Sequence, residues 1–247
     1  WEGDRGAFGF QTELLRGTTD GWEFLLPNHY RNRVSAIADY TFNSGTFGAR
    51  LDVISTGNES HSEPLYSSNN EVIGEDIRAT ELKTVTPSWA LSWFQPIDLE
   101  KINSSFTATA YTRVPSNYAL AANGIHHGTF RFEQGNPNLK PETAIEARAS
   151  ASSSSEKFNV EIQSFASLHK GFIHITPTAS FAPIAHSGQI YSFQATDAFR
   201  TGLEVKMNLK LGRGKLTSSS SFLGQWALET GLGLPFTPPA DIINSYS

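Results

Sequence analysis

Hydrophobic and polar residues alternate one for one along most of this chain, and a helical period is hard to find anywhere. Over residues 34–42, Val34, Ala36, Ala38, Tyr40 and Phe42 share one face, and Ser35, Ile37, Asp39 and Thr41 share the other. Residues 47–53 set Phe47, Ala49, Leu51 and Val53 against Gly48, Arg50 and Asp52. Trp89, Leu91 and Trp93 alternate with Ser88, Ala90 and Ser92. The cleanest run is 203–211, where Leu203, Val205, Met207, Leu209 and Leu211 oppose Glu204, Lys206, Asn208 and Lys210. A further run over 216–226 puts Phe222 and Trp226 on one face with small residues. Such strands bury one face and wet the other. One segment departs from the rule: Phe158, Val160 and Ile162 alternate with polar neighbours, but Phe165 falls on the polar face. A register-shifting bulge and an inward-pointing aromatic both account for it.

Alternation alone also fits a soluble β-sandwich or β-solenoid, so the connections decide. Short turns are expected at Asn43-Ser44-Gly45, near 96–101, at 152–157 and at Gly212-Arg213-Gly214. Long connections cover 17–32, 55–83, 113–143, 174–190 and 229–240, and short and long alternate throughout. Ordinary domains connect elements with about 4–6 residues. Outer-membrane barrels instead carry short periplasmic turns and long extracellular loops. The sequence therefore predicts an all-β, transmembrane antiparallel β-barrel of about ten strands, each near the roughly 9–11 residues a tilted strand needs to cross a bilayer. Residues 1–247 are read as part of a single barrel domain. The start at Trp1-Glu2-Gly3-Asp4-Arg5 lacks a signal-peptide pattern, and 240–247 read as a strand without a terminal aromatic. The expectation is an incomplete, middle-to-late portion of a larger barrel of about 22 strands, or one whose missing strands another chain supplies.

Composition agrees. Charged residues are 17% of the chain, below the roughly one quarter of soluble domains. The net charge of −5 gives no basic field for nucleic acid. With no cysteine, disulfide scaffolds, thiolate metal sites and cysteine catalysis are excluded. No run of 18 apolar residues is present, so no helix spans a membrane.

The most distinctive stretch is RVPSNYALAANGIHHGTFRFEQGNPNLKPE, residues 113–142. Arg113 and Pro115 are followed by Ala122, Asn123, Gly124, His126, Gly128 and Thr129, then Phe132, Glu133, Gly135, Asn136, Pro137, Leu139, Pro141 and Glu142. This pattern resembles the corresponding loop of TonB-dependent outer-membrane receptors, and the Ala-Asn-Gly-x-His version is similar to the sub-group handling iron chelates, haem or zinc. Leu26-Pro27, Leu234-Pro235-Phe236 and Pro238-Pro239 are similar to the family's loop exits. Ala119-Leu120 stands where the family often has Glu-Leu. The resemblance implies a bacterial outer-membrane location in contact with lipid, and capture of a scarce nutrient at extracellular loops. It also implies energy from the TonB complex acting through a plug domain that these residues do not contain. On turn chemistry alone, Gly135, Asn136, Pro137 and Pro141 simply fold the loop back onto the rim, Asn and Gly tolerating positive φ.

Six of the seven histidines fall in or beside long connections: His29, His61, His126, His127, His174 and His186; only His169 lies well inside a strand. Imidazole suits zinc, copper, iron and nickel. The expected substrate-binding residues are His126, His127, Glu133, His61 and His29, with His126 and His127 as metal ligands and Glu59 and Glu63 as further carboxylates. The bland alternative is that histidine is at home in any wet loop. No resident cofactor is expected; a metal or metal chelate would be cargo. Trp22, Tyr30, Trp89, Trp93, Tyr111 and Trp226 suit interfacial girdles, Trp22 and Tyr191 alternatively a stacked ligand. Arg50, Asp52, Glu146, Arg148, Glu204 and Lys206 are expected to line the lumen. Enzyme signals are poor: Gly212-x-Gly214 precedes no helix, and the serine runs lack a nucleophile elbow. The rival readings are a passive barrel without ligand gating and, further off, a barrel hydrolase using Asp20, Asp76 and Asp197 with the loop histidines.

Overall fold

A computed structural model describes residues 2–3, 5–19, 24–126, 128–182, 188–237 and 240–246. In chain order the strands are β1 (Glu2–Gly3), β2 (Gly6–Gly17), β3 (His29–Phe42), β4 (Gly45–Asn58), β5 (His61–Tyr66), β6 (Val72–Ala79), β7 (Leu82–Leu99) and β8 (Ile102–Arg113). A short helix α1 (Asn117–Ala121) follows, then β9 (Asn123–His126), β10 (Arg131–Gln134), β11 (Glu142–Ser154), β12 (Phe158–Phe181), β13 (Gln189–Leu211), β14 (Gly214–Ala227) and β15 (Asp241–Tyr246). Neighbours along the main sheet run β1-β2-β3-β4-β7-β8-β11-β12-β13, with β14 and β15 continuing from β13. Every pairing on this path is antiparallel. Nine long strands and the six-residue β15 thus form an up-and-down meander among the described residues, as the alternation predicts.

Two-residue turns close β3–β4 and β13–β14, where Phe42 pairs with Gly45 and Leu211 with Gly214. Asn43 (φ 51°) and Gly212 (φ 64°) supply the left-handed backbone that such turns require. The β7–β8 turn is tighter than expected: Pro96 lies within β7, and only Glu100-Lys101 are unpaired. The opposite end is more ordered than a set of loops. The connection 59–81 contains the β5–β6 hairpin, and 114–141 contains α1, β9 and β10. Residues 174–181, expected as loop, continue β12, and β13 starts at Gln189. Thr-, Ser- and Pro-rich composition disguised this extension, which pairs Phe172 with Thr196 through Pro177 with Tyr191. At 24 residues, β12 far exceeds the roughly 9–11 needed to cross a bilayer, so its upper half stands clear in water.

One face of the sheet is apolar and uncovered: Phe10, Leu14, Val34, Leu51, Val53, Leu91, Ile145, Leu168, Leu203 and Phe222 are exposed. Trp89, Trp93 and Trp226 alternate onto this face, whereas Tyr111 takes the opposite one, beside Ala144 and Ala90 in register. A ten-strand apolar wall would be untenable in water, and it matches the lipid-facing band of a membrane barrel. The other face is polar and internally paired. Arg50 holds Asp52 at 2.7 Å, Lys206 holds Glu204 at 2.8 Å, and Arg148 pairs with Glu146. Each pair sits two residues apart on one strand, so all six expected lumen residues share the same side.

Phe165 is an inward aromatic and not the sign of a bulge. Its register with Gly202 belongs to an uninterrupted ladder from Phe158 to His169. The ring lies over the space that a Cβ on Gly202 would occupy, with the Arg148 guanidinium 5.7 Å from its centroid. Gly202→Val is expected to expel the ring and destabilise the barrel by about 1–3 kcal/mol, the usual cost of overpacking. Urea unfolding in detergent micelles measures it. The real bulge comes higher, between His169 and Phe172, where Gly171 adopts φ 69° and its N–H donates to Asp197 Oδ1 (2.8 Å).

The polar face is concave. Arg31, on that face, donates to the carbonyls of Pro115 (2.8 Å) and Val114 (3.3 Å). The adjacent residues Asn117 and Tyr118 then touch opposite parts of the sheet. Asn117 Nδ2 donates to Gly57 O in β4 (3.0 Å), and the Tyr118 ring meets Phe193 of β13 (5.2 Å). Those strands are five pairings apart, about 24 Å in a flat sheet, so the sheet curls round this segment. The buried apolar residues gather within this segment (Val114, Ala119, Leu120, Ala122 and Phe132) and on the sheet (Ile54, Ala144 and Ala198).

Candidate functional site

The segment 114–141, which carries the motif, is the internal strut of the barrel mouth. Ser116 caps α1, its hydroxyl accepting from Ala119 N (3.1 Å), which satisfies one orphan helix donor. Asn123 is clamped on both sides: its N–H donates to Leu25 O, its Nδ2 to Arg78 O, and its carbonyl accepts from Arg78 Nη2. The chain then turns back as the β9–β10 hairpin, and β10 lies parallel to β13 at Phe132↔Ile190 through Gln134↔Ser192. It covers the β13 edge just above the point where β14 ends, at Ala198↔Ala227. An otherwise bare sheet edge is thereby paired.

Two glycines of the motif make this docking feasible. A Cβ on Gly124 would sit inside the Phe24 carbonyl, and one on Gly135 would lie 2.6 Å from Ala121 N and Leu120 C. Neither glycine has positive φ. The turn-chemistry expectation is therefore corrected for Gly135, which is required by close approach of backbones. Asn136 does act locally, its Oδ1 accepting from Asn138 N (3.0 Å) while its Nδ2 reaches Phe193 O (3.4 Å).

The motif's two ends meet. Arg113 and Glu142 pair across the β8–β11 ladder, with Arg113 Nη2 donating to Glu142 Oε2 (2.6 Å). His169 Nδ1–H donates to the other carboxylate oxygen (3.0 Å), and its Nε2 lies in hydrogen-bond contact with the Ser167 hydroxyl (2.9 Å). Ile173 N–H, freed above the start of β11, also donates to Oε2 (3.2 Å). Glu142 is only 1% exposed and His169 3%. Sequence reasoning left His169 unpaired, because the strand register that brings it to Glu142 joins residues 27 positions apart. This network anchors the base of the strut.

The expected ligand residues separate into groups. His126 and Glu133 are brought together: His126 Nδ1 lies 3.2 Å from Glu133 Oε1 across the β9–β10 hairpin. Glu133 is 3% exposed, and its Oε2 has no partner among the described residues. Burial pushes its carboxyl up from the ordinary carboxylate range. The His126 side chain is 46% exposed, and Nδ1 is the ring nitrogen that meets the carboxylate. His61 lies nearby, stacked on Phe24 (4.4 Å) and 3.6 Å from Glu63; Phe24 in turn packs against Gly124. His29 is apart, its ring on Gly17 and its Nδ1 bonded to Pro27 O (3.0 Å). Glu59 accepts from Asn28 Nδ2. His127, His186, Trp22 and Asp20 lie outside the described residues. Among the described residues no three of His, Cys, Asp or Glu converge as a metal cage. Tyr191 is occupied by Arg131, whose guanidinium lies 4.8 Å from its ring and 4.4 Å from that of Phe236. Asp76 faces Arg78 at 3.6 Å.

A polar, concave wall behind an apolar outer face is the arrangement of a membrane barrel, and comparison with known proteins agrees. Among solved structures, the copper transporter OprC superposes with a TM-score of 0.61 at 13% identity, over 89% of this chain and 32% of its own. The Serratia marcescens hemophore receptor HasR, solved as a double mutant with its hemophore HasA and heme, gives 0.58 at 14% identity, over 88% of this chain and 38% of its own. The FrpB iron transporter of Neisseria meningitidis gives 0.50 at 10% identity, over 91% and 34%. The chain thus spans about a third of the length of the structures it matches. At these identities the likeness establishes the fold. No curated protein matches the chain in sequence. The model of the β-barrel of TonB-dependent receptor-like proteins matches residues 10–241, nearly the whole chain. The chain therefore belongs to the TonB-dependent receptor β-barrel family, and its strands lie in a bacterial outer membrane.

Proposed function

We propose that this chain is barrel wall and mouth of a TonB-dependent transporter that captures a metal ion, metal chelate or haem from outside and passes it along the concave face. The observation that carries the reading is His126, whose Nδ1 is held by a buried carboxylate while its side chain stays about half exposed. Metal-binding histidines are commonly fixed in this way, the carboxylate setting the tautomer and raising ligand basicity. Glu133 then positions His126 and does not itself ligate, a role different from the direct contact the sequence suggests. The matched structures are described as handling copper, heme and iron, and imidazole is a ligand for copper, zinc and iron alike. His127, adjacent in sequence, and His61, stacked on Phe24, are the further donors of this reading, with His29 set apart. The remainder of the barrel, a plug and the TonB complex complete the transporter, and the role is transport, not catalysis.

Titration of the full-length protein in detergent with Cu(II), Zn(II) and haem tests the reading. His126→Ala is expected to weaken one of these by about tenfold or more, equal to about 1.4 kcal/mol. Unchanged affinity for all three would remove His126 from the site. Glu133→Gln separates positioning from structure. Because burial raises the Glu133 pKa, folding favours its protonated form. That contribution is present below the unfolded pKa and is lost as pH rises through the higher folded value. The neutral glutamine is therefore expected to leave stability at neutral pH unchanged or slightly raised, while cargo affinity falls. Denaturation midpoints at neutral and acidic pH, set beside the titration, check both halves.

A further inference from the structure

We infer that the β5–β6 hairpin is a docking site for a basic protein partner that approaches from the aqueous side. The charge of the whole chain is concentrated there. Residues 59–81 hold Glu59, Glu63, Glu71, Glu75, Asp76 and Glu81 against Arg78 alone, a net −5 equal to that of the entire chain. Elsewhere 18 acidic residues balance 18 basic ones. Arg78 already pairs with Glu63 (3.3 Å) and Asp76 (3.6 Å), whereas Glu71 and Glu75 form no ion pair among the described residues. Glu81 pairs with Lys83 just past the connection, so the acidic charge without an ion partner among the described residues is that of Glu59, Glu71 and Glu75.

The same hairpin is apolar where water should meet it. Ile73 is 68% exposed and Ile77 65%, and Leu65, Tyr66 and Val72 are also exposed. These are not lipid-facing positions: the hairpin lies in the long connection between β4 and β7, at the loop end of the barrel. Alternation along β6 puts Ile73, Glu75 and Ile77 on one face. Asp76 and Arg78 take the other, where Arg78 reaches down to Asn123 and to the Phe24 ring (5.4 Å). The outward face thus combines two isoleucines with an unpaired glutamate. Contiguous apolar side chains exposed on the aqueous part of a protein mark interaction sites.

The backbone is equally incomplete. β5 and β6 form a separate two-stranded sheet, so among the described residues neither outer edge has a ladder partner. A lone hairpin is marginal in water, and a third strand is what stabilises it. Strand addition supplies main-chain hydrogen bonds, with alternate side chains providing specificity. An extended segment alternating apolar residues with lysine or arginine satisfies edge, apolar face and charge together. A second copy of this chain or an anionic lipid surface would instead bring like charge to like charge.

The test uses the full-length protein in nanodiscs and two synthetic peptides of equal length, one alternating lysine and valine, the other glutamate and valine. The lysine peptide is expected to bind saturably, to weaken as salt is raised, and to increase hydrogen-exchange protection of β5 or β6 amides. Ile73→Thr with Ile77→Thr, and separately Glu71→Gln with Glu75→Gln, are each expected to weaken it about tenfold. All four side chains are exposed, so both variants should fold, and their metal and haem titrations should match the wild type. That match separates this site from the His126 reading. Absence of lysine-peptide binding, equal binding of the glutamate peptide, or no loss in either variant overturns the proposal. So does hairpin-dependent dimerisation of the protein alone, or hairpin-dependent adhesion to lipopolysaccharide vesicles.

Discussion

Glu142→Ala is expected to destabilise the barrel by about 2–4 kcal/mol, the cost of leaving the buried His169 and the Ile173 N–H without their acceptor. The carboxylate accepts from Arg113, His169 and Ile173 N–H, and it is almost fully excluded from solvent. Without it, the half-exposed Arg113 keeps the Phe172 ring (6.0 Å) and solvent, and the buried His169 loses the acceptor that orients it. Both ends of the strut then come loose, since Arg113 precedes it and Glu142 follows it. Guanidinium unfolding in detergent gives the stability, and proteolysis within 114–141 reports the strut. His169→Ala should produce a smaller loss, because Arg113 and Ile173 still satisfy the carboxylate. If Glu142→Ala unfolded like the wild type, the network would not be the anchor.

Gly135→Val is expected to prevent the strut from docking and to abolish cargo binding, with a stability loss of about 3 kcal/mol or more. A side chain there meets Ala121 N, Leu120 C and Ala122 N, all backbone atoms of a capped helix that cannot step aside. It would also break the bonds from Gly135 N to Ala122 O and Asn136 N to Ala119 O. With those gone, β10 has no fixed path to the β13 edge, and Glu133 no longer stands behind His126. Gly128→Ala is the contrasting case. Its Cβ would meet only His126 Nε2, at 3.8 Å, an ordinary contact. It should fold normally and perturb nothing but the imidazole. Exchange protection across β10 and cargo titration distinguish the two variants. Equal behaviour would mean that the tight backbone approach at Gly135 is not what seats the strut.

Most motif positions that the structure describes are accounted for by the strut. Asn123, Gly124, Gly135 and Asn136 fix its course, Arg113 and Glu142 fix its ends, and His126 with Glu133 is the part left to face a ligand. A motif dense in Gly, Asn and Pro can therefore signal a demanding backbone path more than a binding surface. The exposed imidazole is the exception within it.

The sequence by itself determined the strands and their faces. Side-chain direction in a strand has period two, so the lipid and lumen faces of β3, β4, β7, β13 and β14 were readable from local alternation, and turn residues such as Asn43 and Gly212 marked the short connections. It also isolated His126 and Glu133 within one motif. Only the tertiary structure decided what depends on register and on distant approach. The pairing of His169 with Glu142, the seating of Phe165 on Gly202 and the parallel β10–β13 edge each join residues with no local relationship. The extended β12–β13 hairpin was hidden because its water-exposed, Thr- and Pro-bearing ladder lacks a buried face, and burial on one face is what makes alternation visible in sequence.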